Sequence, residues 1–153
     1  MIGGSRRAMV NIRDECLVDS GTTNTILKSK KYFSQLSPVK THVNTISGIS
    51  DLIEGSGRAC ILLPEGTKLI INDALYSSKF RRNLLSFKDI RSNGFHIETM
   101  NEKNYGYLHI TSIKNGQKII IEKMQPMSSG LYGTYISTIE SKMVTNPKLV
   151  VSN

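Results

Sequence analysis

The residues best suited to chemistry lie in one short segment, Cys16–Thr23, whose sequence is CLVDSGTT. Its apolar start predicts a buried strand that delivers Asp19 to a tight turn. Gly21 would let the backbone pass close to whatever faces the carboxylate, while Ser20 and Thr22 can hydrogen-bond within the turn. Two such carboxylates side by side would share one proton and activate a water between them. The same residues also form ordinary turns, so the remaining sequence must decide.

The length and hydropathy of the chain bound the fold. Its 153 residues have room for one compact domain, or for a smaller domain with tails. No apolar run approaches the ~20 residues that a membrane-spanning helix needs. No apolar stretch follows the first arginines either. We therefore expect neither a membrane segment nor a secretory signal.

The two cysteines, Cys16 and Cys60, each lie inside an apolar, strand-like run. Such positions favour free buried thiols in a reducing compartment, which indicates the cytoplasm. Neither has a second cysteine or a histidine at the spacing of metal ligands, and the histidines His42, His96 and His109 are scattered. The sequence therefore predicts no metal site and no cofactor.

The formal net charge of +8 raises the question of a nucleic-acid partner. The twenty Lys and Arg residues are spread along the chain, and the densest groups, Lys28–Lys31 and Lys79–Arg82, are short. No stacking aromatics alternate with them in a known motif. A solvated basic surface is the favoured interpretation, and nucleic acid is not expected as a direct ligand.

The elements that must position Asp19 are mostly strands. A loop with a helical turn is predicted at Asn24–Leu36, and apolar residues alternate from Pro38 onward. Two extended segments around a glycine-bearing tip predict a long β-hairpin at Val43–Leu63, and Leu63–Gly66 forms the next turn. Further strands are predicted at Ala8–Ile12, Thr67–Tyr76, Phe95–Met100, Tyr105–Ser112 and Gln117–Lys123, and from Gly130 onward.

One short helix is predicted at Leu84–Ser92, with Asn83 as its N-cap and Asn93-Gly94 at its end. Asn115-Gly116, between two of the later strands, is a strong signal for a tight hairpin. A mostly β chain with one short helix indicates an all-β fold, either a small closed barrel or a sandwich.

Three features occur in an order that resembles the retropepsins, the dimeric aspartic proteases of retroviruses and retrotransposons. An apolar strand ends in Asp19–Thr22, the glycine-tipped hairpin at Val43–Leu63 follows, and Arg82–Ser86 (RNLLS) then leads into Gly94–Ile97. The segments Asn72–Tyr76 (NDALY) and Arg82–Ser86, with Gly130-Leu131-Tyr132 after them, are most similar to the protease region of Ty1/copia-type Pol polyproteins, such as the TNT type.

This resemblance, over roughly residues 15–135, implies a small closed β-barrel of the retropepsin type with a flap hairpin and one short helix. It implies a flexible segment at 1–14, the barrel at 15–100, a hairpin extension resembling the pre-integrase segment at 101–140, and a tail at 141–153. Leu84 and Leu85 would pack behind the catalytic loop.

The resemblance also implies site residues. Asp19 would be the catalytic carboxylate, held by a turn of Ser20, Gly21 and Thr22. The tip of the flap would consist of Ile46, Ser47, Gly48, Ile49, Ser50 and Asp51.

The implied activity is proteolysis of a Gag-Pol-type polyprotein by a homodimer, because the chain has one Asp-Ser-Gly-Thr. The dimer is expected to be weak, and the setting is the cytoplasm, in a virus-like particle where the parent element is expressed.

Two alternatives stay open on the sequence. Asn24 and Thr25 stand where copia-type segments often have a histidine, and no zinc knuckle or integrase site accompanies the domain. The chain could therefore be a catalytically silent β-barrel that binds peptides or supports assembly. It could also be a basic fragment associated with nucleic acid, whose affinity would fall steeply with salt and would not depend on Asp19.

Overall fold

The computed structural model describes residues 12–39, 52–102, 105–128 and 131–139. A 3₁₀ turn lies at Lys30–Tyr32 and the helix α1 at Phe87–Ser92. The described strands are β1 Asp14–Asp19, β2 Ile26–Leu27, β3 Phe33–Pro38, β4 Gly55–Leu62, β5 Lys68–Tyr76, β6 Asn83–Ser86, β7 His96–Glu102, β8 Tyr105–Lys114, β9 Gln117–Ser128 and β10 Leu131–Ile136. The all-β prediction with one short helix is confirmed.

Ten strands form one sheet in the order β3-β4-β5-β2-β6-β1-β10-β9-β8-β7. The strand that ends at Asp19, β1, runs parallel to β6 on one side and antiparallel to β10 on the other. Within the described part, the edge strands β3 and β7 do not pair with each other, so no ladder closes the sheet. A bridge between Leu62 and Ser137 joins the end of β4 to the chain after β10. The domain is therefore barrel-like, with β1 well inside the sheet.

The hydrophobic core lies on one side of β1. Cys16 and Val18 are buried there, and Leu85 of β6 is buried beside them. The other fully buried members come mainly from β4, β5, β8 and β9, and include Ile61, Leu63, Leu69, Ile71, Ile90, Leu108, Ile110, Met124 and Ile136. Because aliphatic burial is the main stabilising term of such a domain, β1 is held firmly up to the residue before Asp19.

The predicted helix is shorter than expected, and its N-cap was predicted at the wrong residue. The backbone of Asn83–Ser86 is strand β6, which pairs with β1 in parallel register. The helix begins at Phe87, and its N-cap is Ser86, whose Oγ accepts a hydrogen bond from the Lys88 backbone N–H at 3.1 Å. Pairing with a buried strand outweighed the local helix signal, because the ladder brings Leu85 into the core.

The segment Asn24–Leu36 was predicted as a loop with a helical turn. The helical turn is confirmed at Lys30–Tyr32, but the short strand β2 precedes it and β3 follows it. β3 pairs antiparallel with β4, and Pro38 opposite Gly55 is the last pair of this ladder. Of the predicted hairpin Val43–Leu63, the tip Ile46–Asp51 lies outside the described residues, as do the first four residues of the predicted strand Ala8–Ile12.

The later strands follow the prediction closely. Asn115 and Gly116, between β8 and β9, have φ angles of 52° and 77°, as a tight hairpin turn requires. The turn after β4 is also confirmed, since Gly66 has a φ of 98° and donates its N–H to the Leu63 carbonyl. The predicted boundary between a barrel at 15–100 and an extension at 101–140 stays a prediction. In the structure, β10 pairs with β1 along the whole length of both strands.

Candidate catalytic turn at Asp19

The carboxylate of Asp19 lies at the end of β1, on the side opposite the core. Burial alternates along the strand, so that Cys16 and Val18 face the core while Leu17 and Asp19 are only partly buried. In the sheet, Asp19 lies between Ser86 of β6 and Leu131 of β10. The paired strands therefore fix the Asp19 backbone from both sides and leave its side chain accessible.

The turn that follows contacts Asp19 directly. The Gly21 backbone N–H donates to Asp19 Oδ1 at 2.9 Å. A Cβ placed on Gly21 would lie 3.4 Å from the same oxygen, which is an ordinary van der Waals contact. Ser20 is exposed and Thr22 is half-buried, and neither side chain forms a hydrogen bond within the described residues. The glycine thus positions the carboxylate through its backbone, and the hydroxyls do not.

A buried polar cluster supports the turn from β6 and α1. Thr25 Oγ1 donates to Asp89 Oδ2 at 2.7 Å and accepts from the Ser86 backbone N–H at 3.1 Å. Thr25, Ser86 and Asp89 are all buried. Since Ser86 lies beside Asp19 in the sheet, the cluster fixes the residue next to Asp19 on β6. The sequence carried no local signal for this cluster, because 64 residues separate Thr25 and Asp89.

Two asparagines tie the same region together through their amides. Asn83 accepts from the Lys28 N–H and donates to the Glu15 carbonyl. Asn93, just after α1, exchanges hydrogen bonds with both backbone groups of Ile70. Each amide satisfies backbone groups that have no strand partner at that point. The strands around Asp19 are thereby held by several bonds over long sequence separations.

The opposite end of β1 carries a second aspartate in very different surroundings. Asp14 accepts a short hydrogen bond from the Tyr32 hydroxyl and pairs with Lys31 Nζ at 3.0 Å. Burial by itself would raise the pKa of Asp14, but the hydrogen bonds from Tyr32 and Lys31 and the Lys31 charge outweigh it, so the pKa is lowered. Burial first, and then Asp14, raise the pKa of the Tyr32 phenol. The bonds of Asp14 thus indicate a structural role for this residue.

The remaining candidate chemistry is limited. Burial raises the pKa of the Cys16 thiol, which makes it a poor nucleophile. Within the described ranges, no group of three or more His, Cys, Asp or Glu residues is placed to hold a metal ion. No helix in the described part is long and apolar enough to cross a membrane. The predicted flap residues Ile46–Asp51 fall outside these ranges.

The outer side of β1 and β6 is grooved. An apolar cleft of about 440 Å³ lies along it. It is lined by Leu17, Leu52, Phe80 and Leu84, with Lys79, Arg81 and Arg82 at its rim. Leu17 is two residues before Asp19 and on the same side of the strand. Apolar groups are thus available next to the carboxylate.

Comparison with protein families gives one match. The family model described as "Pol polyprotein, beta-barrel domain" matches residues 16–95, just over half of the chain. The chain belongs to this family. The matched region starts within β1 and ends after α1, so it contains Asp19 together with the Thr25–Asp89 cluster. No curated protein and no solved structure matches the chain. The chain is therefore a Pol polyprotein β-barrel domain.

Proposed function

We propose that this Pol polyprotein domain is a retropepsin-like aspartic endopeptidase of the Ty1/copia type. The observation that carries the proposal is the local environment of the Asp19 side chain. A buried strand ends at this residue, the Gly21 N–H holds one carboxylate oxygen at 2.9 Å, and the side chain stays partly exposed. A carboxylate in these surroundings can exchange a proton with a water or with a second carboxylate.

The proposed mechanism needs two chains. In the described part, Asp19 has no second carboxylate as a hydrogen-bond partner, and Asp14 and Asp89 are bonded to Tyr32 and Thr25. Two Asp19 residues across a two-fold axis would share one proton. The ionised carboxyl then deprotonates a water that attacks the peptide carbonyl, and the protonated one donates to the developing oxyanion.

The proposed dimer is weak. β1 has strands on both sides, so its edges are not free to pair with a second chain. Near Asp19, contacts between the two chains would then come from the catalytic turns and the hairpins, whereas stable interfaces typically bury ~1,200–2,000 Å². The proposed substrate is a Gag-Pol-type polyprotein, covered by a flap around Ile46–Asp51 that excludes water. The free thiols of Cys16 and Cys60 suit the reducing cytoplasm.

Cleavage of a longer Pol precursor tests this proposal. Asp19→Asn keeps the shape of the side chain and an acceptor for the Gly21 N–H, but it cannot ionise, so we expect no detectable cleavage. Asp73→Asn is the matched control, because Asp73 is also an exposed aspartate and its side chain makes no hydrogen bond within the described residues. The control should cleave at the wild-type rate. Cleavage by Asp19→Asn at that rate would contradict the proposal.

Sedimentation at several concentrations separates the dimer from the chemistry. Specific activity should rise with the dimer fraction, since a monomer holds half of the site. A monomer at all concentrations that still cleaves would exclude the paired-carboxylate mechanism.

A second candidate is a catalytically silent domain that binds extended peptides. It is favoured by two features of the described residues. Asp19 accepts one hydrogen bond there, and β3 and β7 each have one edge without a neighbouring strand, to which an extended peptide could be added. In that case peptide binding would be equal in the wild type and Asp19→Asn, and neither would cleave.

A further inference from the structure

The fold gathers basic residues that are dispersed in the sequence. A cleft of about 310 Å³ lies between the start of β1, the loop after β2 and the segment before β6. It is lined by Arg13, Lys28, Arg81 and Arg82, together with Asp14, Glu15, Ser29 and Asn83. All four basic side chains are exposed. Their convergence is a property of the tertiary structure, since 69 positions of sequence separate the first from the last.

One buried side chain builds this cleft. Asn83, which is 5% exposed, accepts from the Lys28 backbone N–H at 2.8 Å and donates to the Glu15 carbonyl at 2.9 Å. It therefore joins the three segments that carry the basic residues. Lys28 Nζ also donates to the Arg81 carbonyl at 3.3 Å, which places its ammonium group beside the arginines. The backbone segments that carry the basic side chains are thus held next to one another.

Among the described residues, four basic side chains and two acidic ones line the cleft. Asp14 is already paired with Lys31 and Tyr32, which leaves Glu15 as the other acidic group. Among the described residues, no carboxylate forms an ion pair with Lys28, Arg81 or Arg82. An adjoining cleft shares both arginines and adds Lys79. Guanidinium groups that lie close together and form no ion pair with a described carboxylate are suited to bidentate binding of an anion.

Aromatic rings border the same cations. Arg13 stacks on Tyr135, with 4.9 Å from its guanidinium carbon to the ring centroid. Phe80 lines the adjoining cleft next to Arg81 and Arg82. Cations that follow a backbone, with aromatic faces between them, are typical of sites for single-stranded nucleic acid. An acidic polypeptide would use the charges but gain little from the rings.

We propose that this cleft binds the phosphate backbone of a single-stranded nucleic acid. Arg81, Arg82 and Lys28 contact phosphates, and Phe80 and Tyr135 offer faces for bases. The proposal does not involve Asp19, so it stands apart from the proteolytic function. It takes up the nucleic-acid alternative that the sequence left open, although a solvated basic surface was the favoured interpretation there.

Fluorescence anisotropy with a labelled uridine 12-mer at low salt tests the site. The double charge reversal Arg81→Glu with Arg82→Glu should weaken binding by about tenfold or more. Lys88→Glu with Lys114→Glu is the control, because both lysines are exposed, lie outside the cleft and change the net charge equally. The control should lose less than about threefold. The slope of log affinity against log salt is negative, and loss of two contacts should reduce its magnitude by about 1.4.

Four results would overturn the proposal. The first is equal loss in both double variants, which would show an effect of net charge alone. The second is equal affinity for polyglutamate of the same charge, which would assign the site to acidic polypeptides. The third is the absence of binding at low salt. The last is full binding by the double variant Arg81→Gln with Arg82→Gln, in which both positions are neutral. This variant is used in place of the charge reversal if the charge-reversed protein unfolds in urea differently from the wild type.

Discussion

The two ends of β1 each carry an aspartate, and the bonding of the two side chains differs. At the start of the strand, Asp14 accepts from Tyr32 and pairs with Lys31 at 3.0 Å. At its end, the carboxylate of Asp19 has one hydrogen bond within the described residues, from the Gly21 N–H at 2.9 Å. The Asp14 carboxylate is bonded to side chains of the protein itself. Asp19 Oδ2 forms no hydrogen bond with a described residue and can contact another molecule.

The rigidity at the Asp19 end comes from its neighbours instead. Ser86 lies beside Asp19 in the sheet, and the Ser86 N–H donates to buried Thr25, which in turn bonds to Asp89. A reactive group must be positioned without being neutralised or covered. The comparison indicates that the buried polar bonds lie one strand away from Asp19, so that they support its backbone and leave its side chain accessible. Four changes test this difference between the two ends of β1, and we give them from the largest expected effect on stability to the smallest.

Thr25→Val should destabilise the domain most. The variant keeps the shape of the side chain but leaves the Asp89 carboxylate without its donor and the Ser86 N–H without its acceptor, both of them buried. We expect a loss of about 3 kcal/mol in the free energy of unfolding, measured in urea. Thr23→Val is the control, because Thr23 is exposed and should lose little. A loss below ~1 kcal/mol for Thr25→Val would show that the cluster does not support the turn.

Tyr32→Phe should have a smaller effect. It removes the donor to Asp14, but the Asp14 side chain is 35% exposed, so water can replace the bond. We expect a loss of about 1 kcal/mol. Tyr135→Phe, at an exposed tyrosine, should change the unfolding free energy by less than half of that. Equal losses in the two variants would mean that the Asp14 end is not specially stabilised.

Acid should remove the contribution of Asp14. Its pKa is lowered in the folded protein, so the folded state binds fewer protons than the unfolded chain as the pH falls past the ordinary value of 3.8. The stabilisation is fully present above that value and is lost as the pH falls through the folded pKa. We therefore expect the difference in unfolding free energy between the wild type and Asp14→Asn to shrink below about pH 4. A difference that stays constant from pH 6 to pH 3 would contradict the assignment.

Asp19→Asn should have the smallest effect on stability. The Asn oxygen can still accept from the Gly21 N–H, and the side chain is not fully buried. We expect a change within about 0.5 kcal/mol, in contrast to its expected abolition of cleavage. A large destabilisation would show that Asp19 is structural like Asp14, and the comparison between the two ends of β1 would fail.

The sequence predicted the features that depend on neighbouring residues. The strand that ends at Asp19, the Leu63–Gly66 turn and the Asn115-Gly116 hairpin are all confirmed, because turn geometry depends on a few adjacent residues. The helix start was wrong, since Leu84 and Leu85 favour a helix locally but lie in a ladder with β1. A prediction from neighbouring residues does not include β1, the strand with which these leucines pair.

The sequence by itself determined an all-β chain with one Asp-Ser-Gly turn, and its residues 16–95 carry the match to the Pol polyprotein β-barrel family. The tertiary structure alone decided which aspartate is bonded and which is open, because Tyr32 is 18 positions from Asp14 and Asp89 is 64 from Thr25. It also decided that dispersed cations meet in one cleft around Asn83. Hydrogen bonds and charges act over a few ångströms in space, and only the packed sheet sets those distances.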